Sequence, residues 1–191
     1  MLARKRGRWA RTKEPVHDDL VRRAFGAKAA NELWFADITE HPTVEGKLYL
    51  CAIKDAFSGR IVGYSMDSHM KASFAVTALH NAIALRGPVG TIVHSDRGSR
   101  SGKFLRALRS AGLIGSMGRT GACADNAAME SFFALVQNNV LNLKRWQTRE
   151  ELRLAIVLWI ERTYHRRRRQ RALGKLTPVE FETVHEAAYA A

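Results

Sequence analysis

Residues 33–38 have the sequence LWFADI, an apolar run that contains a single carboxylate. Side chains alternate between the two faces of an extended strand, so Phe35 and Asp37 share one face while Trp34 and Ile38 share the other. The pattern predicts a buried strand. Asp37 stands where the apolar pattern stops, which suits a carboxylate that faces a metal ion instead of the core.

The residues that follow predict two more strands and a helix. Residues 48–54 and 60–66 have strand character, and a Ser-Gly pair at residues 58–59 is typical of the turn between them. Residues 72–86 then change to helical period. Three strands in quick succession predict an antiparallel meander, followed by a helix.

The second half of the chain alternates short strands and helices. Residues 90–94 predict a strand that runs into Asp96, and residues 104–114 predict a helix and a brief strand. Asp125 is expected to cap the next helix, which leaves Glu130 at the rim of its apolar face. The residues expected on that apolar face are Met129, Phe132, Phe133, Val136 and Val140.

Two further helices carry capping boxes, in which a threonine and a glutamate three residues later satisfy each other's backbone N–H groups. The pairs are Thr148 with Glu151 and Thr177 with Glu180. The whole order of elements predicts an α/β fold, a ribonuclease-H-like mixed sheet flanked by helices. The expected division of the chain is a basic N-terminal arm at 1–28, a catalytic core at 29–143 and a helical C-terminal extension at 144–191.

Three carboxylates stand where this architecture brings such groups together. They lie on the first strand, directly after the fourth strand and on the helix that follows: Asp37, Asp96 and Glu130. A pair of Mg²⁺ ions about 3.5–4 Å apart can orient a nucleophile and stabilise the leaving oxygen of a phosphodiester. Because Mg²⁺ prefers oxygen and keeps waters, a few carboxylates suffice, and the pattern predicts metal-dependent phosphodiester chemistry.

The net charge of +13 is concentrated at two places. Residues 1–25 hold eight Lys/Arg against three Asp/Glu, and residues 161–175 hold seven against one. A near-neutral core with two basic flanks favours a nucleic-acid partner, whose phosphates would bind them. The alternatives are a merely soluble surface and a ribosomal-type RNA binder.

Composition excludes several other classes of protein. A hydrophobic fraction of 46% is enough for a core, so wholesale disorder is not expected. The sequence contains neither an apolar run of membrane-spanning length nor a signal-peptide pattern. Two cysteines, Cys51 and Cys123, exclude a disulfide scaffold and a four-cysteine zinc site, and both are expected to be ordinary buried residues.

Four segments together resemble bacterial insertion-sequence DDE transposases of the IS-three family, which have a retroviral-integrase-type core. Residues 31–39 (NELWFADIT) are similar to their first catalytic motif and residues 94–99 (HSDRGS) to their second. Residues 116–133 resemble the third motif, and residues 164–178 the C-terminal tail. Each motif alone is weak, but four in this order at near-family spacing are specific, from about residue 15 onward.

The resemblance implies a DNA transposase that cleaves transposon ends and joins 3′-hydroxyls to DNA. Asp37, Asp96 and Glu130 would be the catalytic residues and would bind Mg²⁺ or Mn²⁺, with two ions expected. Transposon ends and target DNA would be its partners, together with further copies of the chain, in the bacterial cytoplasm beside the nucleoid. The expected DNA contacts are Arg119, Asn126, Arg166, Arg167, Arg168 and Arg169.

Two departures from the family pattern leave alternatives open. Only 33 residues separate Asp96 from Glu130, which is two fewer than in the family and indicates a deletion after Ser99. The family's upstream helix-turn-helix region is also missing, so recognition of transposon ends is expected to be reduced. The alternatives are therefore an inactive, truncated remnant that only binds DNA, and another ribonuclease-H-like nuclease.

Other polar residues near these motifs have a structural interpretation. Strand-end and turn roles are expected for Asp55 and Asp67. His94 is expected to be a packed, hydrogen-bonded residue, with a role in orienting a ligand as the alternative. The aromatic residues beside the arginine run, Trp159, Tyr164 and His165, are expected to form a basic and aromatic surface for DNA.

Overall fold

The computed structural model describes residues 20–21, 26–95, 101–117 and 127–189. They form a mixed five-stranded sheet with helices on both faces, which confirms the predicted α/β class. The strands are β1 (Leu33–Thr43), β2 (Gly46–Asp55), β3 (Ile61–Asp67), β4 (Ile92–Ser95) and β5 (Ile114–Met117). The helices are α1 (Ala72–Arg86), α2 (Gly102–Ser110), α3 (Ala127–Asn139), α4 (Arg149–Leu158) and α5 (Pro178–Tyr189).

The strand order across the sheet is β3-β2-β1-β4-β5. The first three strands form the predicted antiparallel meander, and β4 and β5 lie parallel to β1. Because β4 pairs with β1 only from Leu33 to Ala36, the rest of β1 has no strand neighbour on that side among the described residues. Among the described residues, the pairing of β1 with β4 thus ends directly before Asp37.

Strand β1 is longer than the sequence pattern predicted. It continues beyond Ile38 to Thr43, since its ladder with β2 runs on to the pair Thr43 and Gly46 at the hairpin turn. Pro42 lies within this extension. A proline without an N–H is tolerated in the one-sided part of a strand, because no second ladder needs that donor.

The sheet carries one hydrophobic core on each face. Helices α1 and α2 cover one core, where β3 approaches α1 so closely that a Cβ on Gly63 would lie 2.4 Å from the Ala78 carbonyl oxygen. Helices α3 and α4 cover the other, to which the residues of the C-terminal extension belong as fully as the strands do. The extension contributes Trp146, Leu152, Ile156, Trp159, Ile160 and Tyr164 to that core.

Helix α4 continues into a π-helix, Trp159–Tyr164, a form that the sequence pattern did not predict. The wider turn brings Tyr164 and His165 into the core, where they are 1% and 3% exposed. Trp159 is also buried. The expected aromatic surface beside the arginine run is therefore wrong: these rings stabilise the fold and do not face DNA.

Both predicted capping boxes are present. The Thr148 hydroxyl accepts a hydrogen bond from the backbone N–H of Glu151 at 3.1 Å. Thr177 and Glu180 each accept from the other's backbone N–H, at 3.2 and 2.8 Å. No helix within the described part of the chain is long and apolar enough to cross a membrane.

Candidate active site

Asp37 lies in β1 at the point where the strand leaves the core. The four residues before it, Leu33 to Ala36, are buried, whereas Asp37 is half-buried. Its Oδ1 accepts a hydrogen bond from the backbone N–H of Ile38 at 2.8 Å. The position agrees with the expectation that this carboxylate lies at the edge of the core.

The parallel pairing of β4 with β1 brings the first two residues of the second motif, His94 and Ser95, beside β1. Phe35 pairs with His94, and Ala36 pairs with Ser95, the last residue of β4. Asp37 and Asp96 are the next residues along the two segments. Asp96 lies outside the described residues, so its role as a metal ligand stays a prediction.

Glu130 lies in the first turn of α3 and is exposed. The same helix buries Met129, Phe132 and Val136 against the sheet, while Phe133 is only half-buried. Glu130 is therefore at the rim of the core, as its helical phase predicted. The expected cap Asp125 and the expected DNA contacts Arg119 and Asn126 lie outside the described residues.

The donor chemistry of Asp37 and Glu130 fits a hard divalent cation. Both side chains offer carboxylate oxygens, the ligands that Mg²⁺ prefers, and neither is sealed from solvent. Within residues 26–95, 101–117 and 127–189, no three His, Cys, Asp or Glu side chains are grouped closely enough to hold a metal ion. A complete triad needs Asp96, which is outside those ranges.

Lys54 is a charged residue of this region that was not predicted from the sequence. It lies in β2 opposite Phe35, and its Nζ donates a hydrogen bond to the carbonyl oxygen of Ala128 at 3.0 Å. Burial lowers the pKa of the Lys54 ammonium to about 8. The signal was present in the sequence, because Lys54 interrupts the alternating apolar pattern of β2.

His94 is a packed residue, as expected. Its side chain is buried, and its ring lies edge-on to Phe35 with the ring centroids 6.1 Å apart. Its Nδ1 is 3.0 Å from the Ser116 hydroxyl, which also accepts a hydrogen bond from the backbone N–H of Leu20. His94 thus links β4 to β5 beside the segment that leads to Asp96.

The arginine run Arg166–Arg169 is exposed at all four positions. The backbone N–H groups of Arg167 and Arg168 both donate to the Thr163 carbonyl oxygen, at 3.0 and 2.7 Å. The buried Tyr164 fixes the start of the run, since its hydroxyl donates to the Gly59 carbonyl oxygen at 2.8 Å. The helix end before the run is therefore anchored, and the four arginine side chains that follow it are exposed to solvent.

A second group of carboxylates is fully buried and has a structural role. Asp55 accepts hydrogen bonds from the backbone N–H groups of Asn31 and Phe57, both at 2.8 Å, which confirms its expected strand-end role. Arg86 joins it to Glu182 of α5, with its Nη2 3.5 Å from Asp55 and 2.5 Å from Glu182. Burial alone would raise the pKa of the Glu182 carboxyl, but hydrogen bonds from Arg86, Arg60 and Ser58 lower it overall.

Asp67 and Cys51 also have the expected structural roles. Asp67 ends β3 and accepts a hydrogen bond from the backbone N–H of His69 at 3.0 Å, so it shapes the turn that follows. Cys51 is buried, and burial together with the nearby Asp37 carboxylate raises the pKa of its thiol to about 12. It is inert at neutral pH. Cys123 lies outside the described residues.

Comparison with solved structures places this fold among retroviral integrases. The match to the simian T-cell lymphotropic virus intasome structure has a TM-score of 0.68 at 18% identity and covers 82% of this chain and 56% of that one. The match to the magnesium-bound catalytic core domain of HTLV-2 integrase, in its trimeric form, has a TM-score of 0.63 at 20% identity. It covers 82% of this chain and 99% of that domain. The predicted ribonuclease-H-like fold is confirmed.

Sequence comparison finds relatives among insertion-sequence proteins. The chain is 38% identical over 189 residues to the transposase of insertion sequence element IS629 from Shigella sonnei. It is 37% identical over 171 residues to transposase InsF of insertion sequence IS3A from Escherichia coli strain K12. These matches cover 96% and 88% of this chain, and 64% and 59% of the relatives. The chain thus spans less than two thirds of their length.

Family comparison agrees with both findings. The integrase core domain family matches residues 27–123, and a second family of the same description matches residues 112–178. The first match includes β1 with Asp37 and β4 with the second motif, while the second includes α3 and the arginine run. This chain therefore belongs to the integrase core domain family, in agreement with its resemblance to insertion-sequence transposases.

Proposed function

We propose that this chain is the catalytic core of a DNA transposase, which cleaves transposon ends and joins 3′-hydroxyls to DNA. The observation that carries the proposal is the parallel register of β1 and β4. It aligns Ala36 with Ser95, the two residues that directly precede Asp37 and Asp96 in the sequence. Membership of the integrase core domain family supports the same chemistry.

In this proposal Asp37, Asp96 and Glu130 hold two Mg²⁺ or Mn²⁺ ions through their carboxylate oxygens. When bound, such ions activate the attacking hydroxyl and stabilise the leaving oxygen of the phosphodiester. Asp37 is held by the sheet and Glu130 by the first turn of α3, so two rigid elements orient the ligands.

A hydrolysis followed by a transesterification accounts for the overall reaction. Water attacks the phosphodiester at the transposon end, and the bond to the 3′ oxygen breaks, which leaves a 3′-hydroxyl. That hydroxyl then attacks a phosphodiester of the target, where one phosphorus–oxygen bond forms as another breaks. Because the number of such bonds is conserved in the joining step, ATP is not required.

The DNA would be bound mainly through its backbone. The exposed guanidinium groups of Arg166–Arg169 are suited to phosphate contacts, which give affinity without sequence readout. Arg119 and Asn126 are proposed as further DNA contacts close to the third motif. Further copies of the chain are proposed as partners on paired transposon ends, within the bacterial cytoplasm and beside the nucleoid.

The proposal can be tested on a pre-branched DNA that mimics the joined product. The purified chain is expected to rejoin the strands in the presence of Mn²⁺ or Mg²⁺, and an Asp96→Asn variant is expected not to. Rejoining by the unmodified chain alone would establish a working three-carboxylate site despite the deletion after Ser99. A folded protein that binds DNA but never rejoins it would overturn the proposal in favour of a DNA-binding remnant, and hydrolysis without joining would indicate a nuclease.

A further inference from the structure

Lys54 occupies a position that the pattern of β2 reserves for an apolar residue. Leu48, Leu50 and Ala52 alternate along the face of β2 that packs on the α3 side of the sheet, and Lys54 is the next residue on that face. An ammonium group that loses water needs a compensating partner. The partner of Lys54 therefore indicates why a lysine stands here.

The Lys54 side chain connects β2, which pairs with the strand of Asp37, to α3, which carries Glu130. Lys54 pairs with Phe35, so it lies on the face of the sheet shared by Phe35 and Asp37. Its Nζ reaches the Ala128 carbonyl oxygen at 3.0 Å, across 74 residues of sequence. Ala128 is in the same first turn of α3 as Glu130.

The local backbone also directs Lys54 toward α3. The pairing of β2 with β3 shifts register between Ile53 and Lys54, and such bulges change the direction of a side chain. The Lys54 Cε also packs beside Gly59, 3.6 Å from the position that a Cβ would occupy there. The stem is thus packed at the β2–β3 turn while the ammonium group meets the helix.

Helix stability does not account for this contact. The N-terminus of a helix carries partial positive charge, so a cation in its first turn is electrostatically unfavourable. A backbone carbonyl has two lone pairs, and Lys54 uses one that the helix's own ladder leaves available. The benefit of the bond is therefore expected in the placement of the turn and not in the strength of the helix.

We propose that Lys54 is a positioning residue: its bond to the Ala128 carbonyl ties the first turn of α3 to the sheet and so fixes the Glu130 carboxylate relative to Asp37. This role rests on the proposed function, in which both carboxylates bind the metal ions. Groups that orient metal ligands typically change metal affinity or activity about 10–100-fold when they are removed.

The test compares three variants of the full chain. Lys54→Met keeps the length of the stem and removes the ammonium group, and Lys54→Arg keeps a charged donor. Lys47→Met is the matched control, because Lys47 is an exposed lysine of the same strand, paired only at the surface with Glu40. Thermal melting of each variant shows whether it is folded.

The first measurement is amide hydrogen exchange of residues 127–133 without metal or DNA. Lys54→Met is expected to raise the exchange rate in this turn by roughly tenfold, because a hydrogen bond to a charged donor is lost. Lys54→Arg should recover most of the protection, and Lys47→Met should match the unmodified chain. Equal exchange rates in the Lys54→Met and Lys47→Met proteins would show that Lys54 does not hold the first turn of α3.

The second measurement is the rate of strand rejoining as a function of Mn²⁺ concentration. Lys54→Met is expected to raise the concentration for half-maximal rate by about tenfold, with recovery in Lys54→Arg. An unchanged metal dependence in an active, folded Lys54→Met protein would overturn the positioning role. If the unmodified chain rejoins nothing, the proposed function fails, and hydrogen exchange alone then decides whether Lys54 holds α3.

Discussion

Two groups of carboxylates lie within this fold, and they have opposite environments. Asp55 and Glu182 are almost completely buried, at 0% and 4% exposure, and share the guanidinium group of Arg86. Asp37 and Glu130 lie at the rim of the core, one half-buried and one exposed. The first group is satisfied by fixed protein partners, whereas the second is accessible from solvent.

The difference separates a structural role from the proposed chemical one. A buried carboxylate is stable only with donors that the fold supplies permanently, and such donors leave no room for a metal ion or a phosphate. A carboxylate at the rim can exchange water for a metal ion without that cost. The identity of the residue type therefore says less about function than its burial and its partners.

The largest expected effect comes from Arg86→Met. Arg86 is 8% exposed, and its removal leaves Asp55 without this cation and Glu182 with Arg60 as its ion-pair partner within the described part of the chain. The free energy of unfolding is expected to fall by about 3–5 kcal/mol, measured by urea denaturation. Glu150→Gln, which removes the surface pair of an exposed glutamate with Arg153, should cost less than about 1 kcal/mol. Equal losses of unfolding free energy in the two variants would show that the buried ion pairs contribute no more stability than the surface pair.

Glu130→Gln is expected to lower the activity and to leave the stability unchanged. The substitution keeps the shape of an exposed side chain, so the free energy of unfolding should stay within about 0.5 kcal/mol. Strand rejoining should fall by more than about 100-fold, because a proposed metal ligand is lost. Glu150→Gln, at an exposed glutamate in the first turn of α4, should leave the rejoining rate unchanged. Full activity of Glu130→Gln would show that Glu130 is not a metal ligand.

Replacement of Arg166–Arg169 by alanine tests whether the exposed cations bind DNA. Each lost phosphate contact should reduce the slope of log affinity against log salt by about 0.9, and affinity should fall at every DNA sequence alike. The measurement is the dissociation constant over a range of salt concentrations. Alanine at Lys103, Arg106 and Arg109, exposed on α2, is the control with a comparable loss of charge. An unchanged slope in the first variant would show that the run is not a DNA contact.

The smallest expected effect is the acid sensitivity of the buried group. The folded-state pKa of Glu182 lies below its ordinary value of 4.5, so its ionised form contributes stability at neutral pH. That contribution is lost as the pH falls from 4.5 through the folded-state pKa. Denaturation midpoints between about pH 6 and pH 3 should therefore decline less steeply in Glu182→Gln than in the unmodified chain. Identical pH profiles would exclude Glu182 as an acid-sensitive group.

Much of the fold was predictable because local patterns and long-range packing agree. The alternation of residues 33–38, the helical period of 72–86 and both capping boxes appear in the structure as expected. The rim position of Glu130 followed from its helical phase alone. The length of β1 could not be predicted from its own residues, because it depends on pairing with β2.

The failures concern residues whose partners are distant in sequence. Asp55 was correctly assigned to a strand end, but Glu182, which shares its arginine, is 127 residues away. Tyr164 and His165 were expected at the surface, and the π-helix that buries them has no marked sequence signal. Lys54 was visible as an interruption of the apolar pattern, but the Ala128 carbonyl that it binds could not be read from the sequence.

The sequence by itself determined the class of fold, the family and the carboxylates that are candidates for metal binding. These depend on residue type, period and motif order, which are properties of short segments. Only the tertiary structure decided which carboxylates are buried with an arginine, which aromatic rings leave the surface, and where Lys54 donates its hydrogen bond. Those outcomes depend on contacts between segments far apart in the chain, and no local pattern encodes the distance between two such segments.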